Sequence, residues 1–250
     1  MPNPRSYLVL DIETVIDPGL PMGAKLDQQP PSLPPAPYHQ VVTIGVLWLD
    51  ASYKPIKLGV VGEGKGEAEV LGDFVKFVEE RKPDLVTYNG RGFDLPVIVA
   101  RCMHHAISFK HYFQVQDVRY RFSPQGHFDL MDYLSDFGAT RAVSLDTMAK
   151  LIGLPGKVGV DGKDVGPLVH AGRIAEVYAY CLCDVVQTAG LFLRVELLRG
   201  RLDRASYREA MQGLVGLMES DERVAPVLQG IDRDRLLGES PRSDGSGQAG

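Results

Sequence analysis

The residues best suited to chemistry are four carboxylates in three separate segments: Asp11 and Glu13 in LVLDIET, Asp94 in YNGRGFDLP, and Asp184 in YCLCD. Each lies where a predicted strand or helix meets a polar break. Carboxylate oxygens are the ligands that hard divalent cations prefer. Two such cations can flank a scissile phosphate, one activating a water and the other stabilising the leaving oxygen. The four carboxylates therefore predict a two-metal site that cleaves phosphodiester bonds.

The first segment is short and β-prone, which predicts a buried strand over residues 6–10. Side chains alternate along a strand, so Asp11 and Glu13, two residues apart, share one face. Two neighbouring carboxylates repel each other unless a cation or a proton lies between them. An isolated D-x-E is more often a pair of solvated acids at a strand end, and that alternative remains open at this point.

The second segment predicts a strand over residues 84–88, a turn over residues 89–92 and then a helix. Asp94 stands at the start of this helix, followed by Pro96 in its first turn. The same arrangement is typical of an ordinary helix N-cap. The two interpretations are compatible, because a cleft opens where a strand ends and a helix begins.

The third segment predicts one long, largely buried helix over residues 173–198, since apolar residues recur at steps of three and four. Asp184 lies close to this apolar stripe, and a carboxylate in such a place needs a partner or a metal. Tyr180 is one turn earlier, so its phenol is expected beside Asp184. The alternative is a hydrogen-bonded Tyr–Asp pair in the core.

The motifs D-I-E-T, N-x-x-x-F-D and Y-x-x-x-D, in this order, resemble those of the DnaQ-like 3′–5′ exonuclease superfamily, in its DEDDy branch. The stretches YNGRGFDLPVIVAR, HFDLMDYL and SLDTMAKLIGLPGK are similar to the stand-alone prokaryotic exonucleases related to the exonuclease domain of B-family DNA polymerases. The likeness covers roughly residues 7–201. It implies that Asp11, Glu13, Asp94 and Asp184 hold two Mg²⁺ or Mn²⁺ ions and that Tyr180 orients the attacking water, so that all five are catalytic.

The expected substrate is the 3′ end of a single strand, DNA rather than RNA, released as nucleoside 5′-monophosphates. An RNA-trimming 3′–5′ exoribonuclease remains an alternative, because sugar discrimination depends on contacts to the 2′-hydroxyl that no motif reveals. A non-catalytic nucleic-acid-binding module on the same fold is a second alternative, although four intact acidic positions speak against it.

Seven residues are candidate substrate contacts. The aromatic and basic stretch 110–122 suits a single-strand groove, and an amphipathic hairpin with a solvated charged face is the alternative. A histidine in HFDLMD either touches substrate or satisfies a backbone group, while Asp129 caps a helix. A Gly- and Lys-rich loop offers flexible phosphate contact. The candidates are Thr14, Asn89, Phe93, Arg119, Arg121, His127 and Lys157.

The composition is that of a globular protein with a net charge of −5 from 27 Lys and Arg and 32 Asp and Glu. This charge argues against a protein that coats long duplexes, but not against one that grips a strand end. No apolar run is long enough for a membrane span, and the N-terminus lacks signal-peptide features. The three cysteines form no C-x-x-C pair, which indicates reduced thiols and a cytoplasmic location.

Strands precede a helix, a further strand and more helices, which predicts an α/β fold with a mixed sheet flanked by helices, as in ribonuclease H. We expect an exonuclease domain over residues 1–201 with a Pro-rich insertion at 17–40. A C-terminal helical extension follows over residues 202–232, and a disordered tail over residues 233–250.

Overall fold

The computed structural model describes residues 5–20, 34–159 and 162–239. Within these ranges a five-stranded sheet has the order β3-β2-β1-β4-β5. The first three strands are antiparallel neighbours, whereas β4 and β5 are parallel to β1. The mixed sheet confirms the predicted fold class. The strands are β1 (Tyr7–Ile16), β2 (His39–Leu49), β3 (Pro55–Val60), β4 (Asp84–Thr87) and β5 (His127–Asp129).

Strand β1 is longer than the predicted strand over residues 6–10, so Asp11 and Glu13 lie inside it rather than beyond its end. Its pairing with β4 stops at Val9, while its pairing with β2 continues to Ile16. The register with β2 shifts between Glu13 and Thr14. Among the described residues, one edge of β1 is therefore without a neighbouring strand beside the two acids, and the backbone is irregular directly after them.

Helices cover both faces of the sheet. On one face, Leu8, Leu10 and Ile12 of β1 contribute to a core with the first two helices, and on the other face Val9 packs with the long helix α8. The helices are α1 (Glu67–Arg81), α2 (Asp94–His104), α3 (Lys110–Gln114), α4 (Gln116–Arg119), α5 (Leu130–Leu134), α6 (Leu145–Ile152), α7 (Val165–His170), α8 (Ile174–Leu198), α9 (Arg204–Glu219), α10 (Ala225–Gln229) and α11 (Arg233–Leu236).

The C-terminal helices belong to the same core as α8. Tyr207 of α9 is buried, and Arg194 of α8 donates to its hydroxyl and to the carbonyl oxygens of Arg235 and Leu236. The first residues of the predicted tail include helix α11, and Arg235 and Leu236 take part in these contacts. The rest of that tail, residues 240–250, lies outside the described residues.

The two described ends of the Pro-rich insertion lie together. The Asp17 N–H donates to the Tyr38 carbonyl at 2.8 Å. Strand β2 begins at His39, so the last two residues of the predicted insertion belong to the sheet. Residues 21–33, its central part, lie outside the described residues. Across the described ranges no helix combines the length and the apolar character that a membrane crossing needs.

Candidate active site

The centre of the site lies where α8 crosses β1 and β2. Gly45 of β2 is directly opposite Asp11, and a Cβ atom at that position would come within 2.8 Å of the Cys181 sulfur. The glycine therefore allows α8 to approach the sheet closely. As a result three potential ligand atoms, one each from Asp11, Glu13 and Cys181, lie within 4.8 Å of one another. The predicted sharing of one face by Asp11 and Glu13 agrees with this convergence.

The next turn of α8 places Tyr180 and Asp184 beside the strand acids. The Tyr180 phenol donates a hydrogen bond to the Asp184 carboxylate, as the one-turn spacing predicts. Both side chains are half-buried rather than sealed in the core. Burial, and after it the charge of Asp184, raises the pKa of Glu13 well above its ordinary value. The pair is thus part of the acidic cluster and not an isolated core contact.

Asp94 reaches the cluster from the opposite face of the sheet. It is the first residue of α2, it is only 4% exposed, and its carboxylate accepts a hydrogen bond from the Ile12 N–H of β1. This bond forms on the edge of β1 that β4 leaves unpaired. The N-cap position belongs to Phe93, and no side-chain cap bond is present. The capping interpretation of Asp94 is therefore wrong, because Phe93 is the N-cap residue and the Asp94 carboxylate accepts from its own N–H and from the Ile12 N–H.

The loop before α2 is held in place by Asp129 of β5. One carboxylate oxygen of Asp129 accepts from the Asn89 N–H at 3.0 Å and the other from the Arg91 N–H at 2.8 Å. Asn89 adopts a left-handed conformation with φ of 67°, which an asparagine tolerates better than most residues. Asp129 also caps α5 by accepting from the Asp132 N–H. Asp129 therefore positions the loop before α2. In the sequence, the stretch HFDLMD was the feature that drew attention to Asp129.

The electrostatics of the four carboxylates are dominated by burial. Burial, followed by mutual repulsion, raises the pKa of Asp11 and of Glu13 well above the ordinary value. Burial raises the pKa of Asp94 to about 7 and that of Asp184 to about 6. The hydrogen bond from Tyr180 and the charge of Lys157 only partly oppose this for Asp184. Such a set of hard oxygen donors fits divalent Mg²⁺ or Mn²⁺, whose charge would favour the ionised forms.

A cavity of about 360 Å³ opens beside Glu13. Thr14 and Phe93, two of the predicted substrate contacts, line it together with His39 and Lys163. The His39 ring bonds the Thr14 hydroxyl at 2.9 Å and the Pro34 carbonyl at 2.9 Å, and it meets Phe93 edge-on. Sequence reasoning missed His39, because no motif surrounds it and only the pairing of β2 with β1 brings it here.

A second cavity of about 460 Å³ lies outside the loop before α2, where Asn89 and Arg121 contribute to its lining. The Arg121 guanidinium is held by the Asp132 carboxylate at 2.6 and 2.8 Å. Arg119 lies elsewhere, over the rings of Tyr112 and Phe113. The segment 110–122 forms α3 and α4, so the hairpin alternative is wrong.

His127 does not reach either cavity. It lies on β5, is 1% exposed, and its Nε2 atom bonds the Thr87 hydroxyl at 2.8 Å. Burial lowers the pKa of His127 well below its ordinary value, so the ring is neutral. The predicted substrate contact of His127 is therefore contradicted, because the ring is sealed between strands.

Residues 32–230 match the model of a family described as "Predicted 3'-5' exonuclease related to the exonuclease domain of PolB", and the chain belongs to this family. The predicted family is thereby confirmed, and the family description agrees with the predicted enzyme class, a 3′–5′ exonuclease. Asp94, Tyr180 and Asp184 lie inside the matched residues, whereas Asp11 and Glu13 precede them. No curated protein matches the sequence significantly.

The fold is similar to part of the family B DNA polymerase from the hyperthermophilic archaeon Pyrobaculum calidifontis. That likeness has a TM-score of 0.55 and 19% identity, and it covers 88% of this chain but only 30% of the polymerase. E. coli Exonuclease I in complex with a dA16 oligonucleotide matches with a TM-score of 0.36 and 13% identity over 80% of this chain and 46% of that one, which is too distant to support an argument. The polymerase likeness confirms the predicted ribonuclease H-like fold class.

Proposed function

We propose that the protein hydrolyses the terminal phosphodiester bond at the 3′ end of single-stranded nucleic acid, preferring DNA, and releases nucleoside 5′-monophosphates. Its cofactors would be two Mg²⁺ or Mn²⁺ ions held by Asp11, Glu13, Asp94 and Asp184. The observation that carries this proposal is the convergence of four carboxylates from β1, α2 and α8, all with raised pKa values. A cluster of that kind is stable in its ionised form only with added positive charge.

When bound, the cations supply an activated water and neutralise charge on the leaving oxygen. The protein's own residues position the reacting groups. Burial raises the pKa of the Tyr180 phenol further above an already alkaline value, and the neighbouring acids add to this effect. The phenol therefore keeps its proton at neutral pH and donates it in the hydrogen bond to Asp184. Its oxygen would orient the attacking water by accepting a hydrogen bond from it, rather than act as a base.

The cavity beside Glu13 would receive the terminal nucleotide. Thr14 offers a hydroxyl whose orientation His39 fixes, and Phe93 offers a ring face for the base. Lys157 is close enough to lower the pKa of Asp184, which suits contact with a nearby phosphate. Asn89 and Arg121 line the second cavity and would contact the strand before its last nucleotide. Arg119, on the same surface segment, would act as an outer phosphate contact.

An assay with end-labelled oligonucleotides tests this proposal. A single strand of DNA and one of RNA are each blocked at the 3′ or the 5′ end and incubated with Mg²⁺, Mn²⁺ or chelator. We expect stepwise loss from a free 3′ end, no reaction in chelator, and no effect of a 5′ block. Faster degradation of RNA would favour the exoribonuclease alternative. Cleavage of circular strands would indicate an endonuclease, and binding without any turnover would indicate a non-catalytic module.

We also propose a cytoplasmic location. The observation in favour is that Cys102, Cys181 and Cys183 are all buried and form no disulfide. Free thiols suit a reducing compartment. Alkylation of denatured protein taken rapidly from cells should find three reduced thiols, and a disulfide would contradict this location.

A further inference from the structure

One soft donor lies among the hard donors of the acidic cluster. The Cys181 sulfur is 3.4 Å from the Asp11 carbonyl oxygen and 3.6 Å from Asp11 Oδ2, and it is within reach of a Glu13 oxygen. Its side chain is fully buried, and the absence of a Cβ atom at Gly45 leaves the room it occupies. A chemistry based on Mg²⁺ does not use a thiol, because hard cations prefer oxygen.

The separation of sulfur and oxygen suits a tetrahedral ion that binds both. Zinc–sulfur bonds of about 2.3 Å and zinc–oxygen bonds of about 2.1 Å, at a tetrahedral angle, separate the two donor atoms by about 3.6 Å. The separation of Cys181 Sγ and Asp11 Oδ2 is 3.6 Å. Glu13 adds a third donor within 4.8 Å of the other two. Two carboxylates and one thiolate would leave a fourth tetrahedral position for water.

An independent observation points to a ligand on this face. Thr43 lies directly opposite Glu13 across the β1–β2 pairing, so both side chains emerge on the same face. The Thr43 side chain is 1% exposed, and its hydroxyl has no hydrogen-bond partner in the part of the chain that the structure describes. Buried hydroxyls are normally satisfied. A water or ion bound beside Glu13 would give this hydroxyl its missing partner.

We propose that Asp11, Glu13 and Cys181 form a site for one thiophilic divalent cation of the Zn²⁺ and Cd²⁺ class. On binding, the sulfur–hydrogen bond of Cys181 breaks, its proton leaves to solvent, and a sulfur–metal bond forms with no change of oxidation state. Because this ion occupies the Asp11 and Glu13 carboxylates, it displaces Mg²⁺ from them. Trace zinc therefore inhibits the exonuclease, a consequence that rests on the proposed function, whereas the binding itself does not.

The test of binding is a titration of the metal-free protein with Cd²⁺, followed by the ultraviolet thiolate-to-cadmium charge-transfer band. We expect a band that saturates at one ion per chain. Cys181→Ser should abolish the band and weaken binding by at least about a hundredfold, because even the loss of an outer-shell partner typically costs about ten- to a hundredfold. Cys183→Ser is the matched control, since Cys183 is also buried in α8 but faces the Arg223 carbonyl. It should behave like wild type.

A second variant keeps the test decisive if Cys181→Ser does not fold. Glu13→Gln retains the thiol and should lower the affinity for Cd²⁺ by about tenfold or more. Absence of the band in wild type, its persistence in Cys181→Ser, or its loss only in Cys183→Ser would each overturn the proposal. Inhibition by Zn²⁺ is measured separately on labelled DNA. A protein that gives the cadmium band but never cleaves DNA would contradict the proposed function and leave the metal site standing.

Discussion

Two clusters of charge lie along α2, one at its first residue, Asp94, and the other about two turns later at Arg101. They differ in whether a cation of the protein itself accompanies the carboxylates. In the arginine cluster, Arg101 donates to Asp17 at 2.5 Å and to both oxygens of Glu67 at 2.7 and 2.8 Å. In the acidic cluster, the first residue of the same helix, Asp94, meets three other carboxylates. The arginine cluster contains its own cation, whereas under the proposed function the acidic cluster would take its cations from solution.

The pKa directions follow from this difference. The hydrogen bond from Arg101 lowers the pKa of Asp17. Burial opposes the same trend for Glu67, but hydrogen bonds from Arg101 and His105 still lower its pKa. Burial raises the pKa of Asp94 and of Asp184, to about 7 and about 6. The carboxylates of the arginine cluster are therefore stabilised by ion pairing within the protein, whereas those of the acidic cluster remain available for metal ions.

The largest expected effect is on turnover, which should depend on the acidic cluster and not on the arginine cluster. Asp184→Asn should lower turnover on labelled single strands on the order of a thousandfold or more, because it removes a metal ligand. The same change should maintain or raise the melting temperature without metal, since one repelling charge disappears. Asp17→Asn is the matched control and should keep its turnover per folded molecule. Turnover by Asp184→Asn within about tenfold of wild type would contradict the assignment.

The next effect is on stability. Arg101→Met should lower the free energy of unfolding by about 3–5 kcal/mol, because the carboxylate of Glu67 stays buried without its cation. Arg101 is itself only 3% exposed. Urea unfolding of the variant and of wild type measures the difference, and the cleavage rate of the folded fraction should be unchanged. A small loss of stability would mean that His105 and solvent replace the guanidinium.

Tyr180 tests whether the acidic cluster orients water as well as metal. Tyr180→Phe should lower turnover by about tenfold to a thousandfold, which is typical of losing one positioned hydrogen-bonding group. Stabilisation by Mg²⁺ should persist, because every carboxylate remains. Tyr178→Phe is the control, since Tyr178 lies on the same helix and its hydroxyl accepts from the Gly64 N–H. Equal turnover of Tyr180→Phe and wild type would leave Tyr180 a packing residue.

Stability without metal should depend on pH in the direction that the raised pKa values require. Asp94 and Asp184 have folded pKa values of about 7 and about 6, above those of the unfolded chain. Their penalty is therefore fully present above pH 7 and is relieved as pH falls through these values. In chelator, we expect a gain on the order of 4 kcal/mol between about pH 8 and about pH 5.

The buried neutral His127 opposes this gain, because a histidine with a lowered pKa loses stability as pH falls. The comparison is therefore made against the double variant Asp94→Asn/Asp184→Asn, in which the histidine contribution remains. Calorimetry in chelator should show a larger gain in wild type than in the double variant, which keeps Asp11 and Glu13 with their raised pKa values. Saturating Mg²⁺ should remove this difference. Parallel pH profiles for the two proteins would refute the linkage.

The smallest effect concerns the surface arginines. Replacing Arg119 and Arg121 by Ala should reduce the salt dependence of single-strand binding by at most about two phosphate contacts. Arg119 should account for more of the change, because Arg121 is already paired with Asp132. Binding measured over a range of salt concentrations, with each single variant as a control, checks this order. A larger effect of Arg121→Ala would show that substrate displaces Asp132.

Local spacing in the sequence predicted much of the acidic cluster. Alternation along a strand placed Asp11 and Glu13 on one face, and the one-turn spacing placed the Tyr180 phenol beside Asp184. The periodicity of residues 173–198 predicted the long helix observed at Ile174–Leu198. Each of these inferences needs only the geometry of a single element, which neighbouring residues determine.

Only the tertiary structure determined which residues from distant segments of the chain contact each other. The sequence alone did not place Asp94 against the Ile12 N–H, His39 against Thr14, or the Cys181 sulfur beside Asp11. Such contacts depend on strand pairing and on how closely a helix approaches the sheet, and one glycine at position 45 permits the last of them. For the same reason the sequence left open whether His127 touches substrate or satisfies a neighbouring group in the fold. Its burial follows from the packing of β4 beside β5, which brings together residues 40 positions apart.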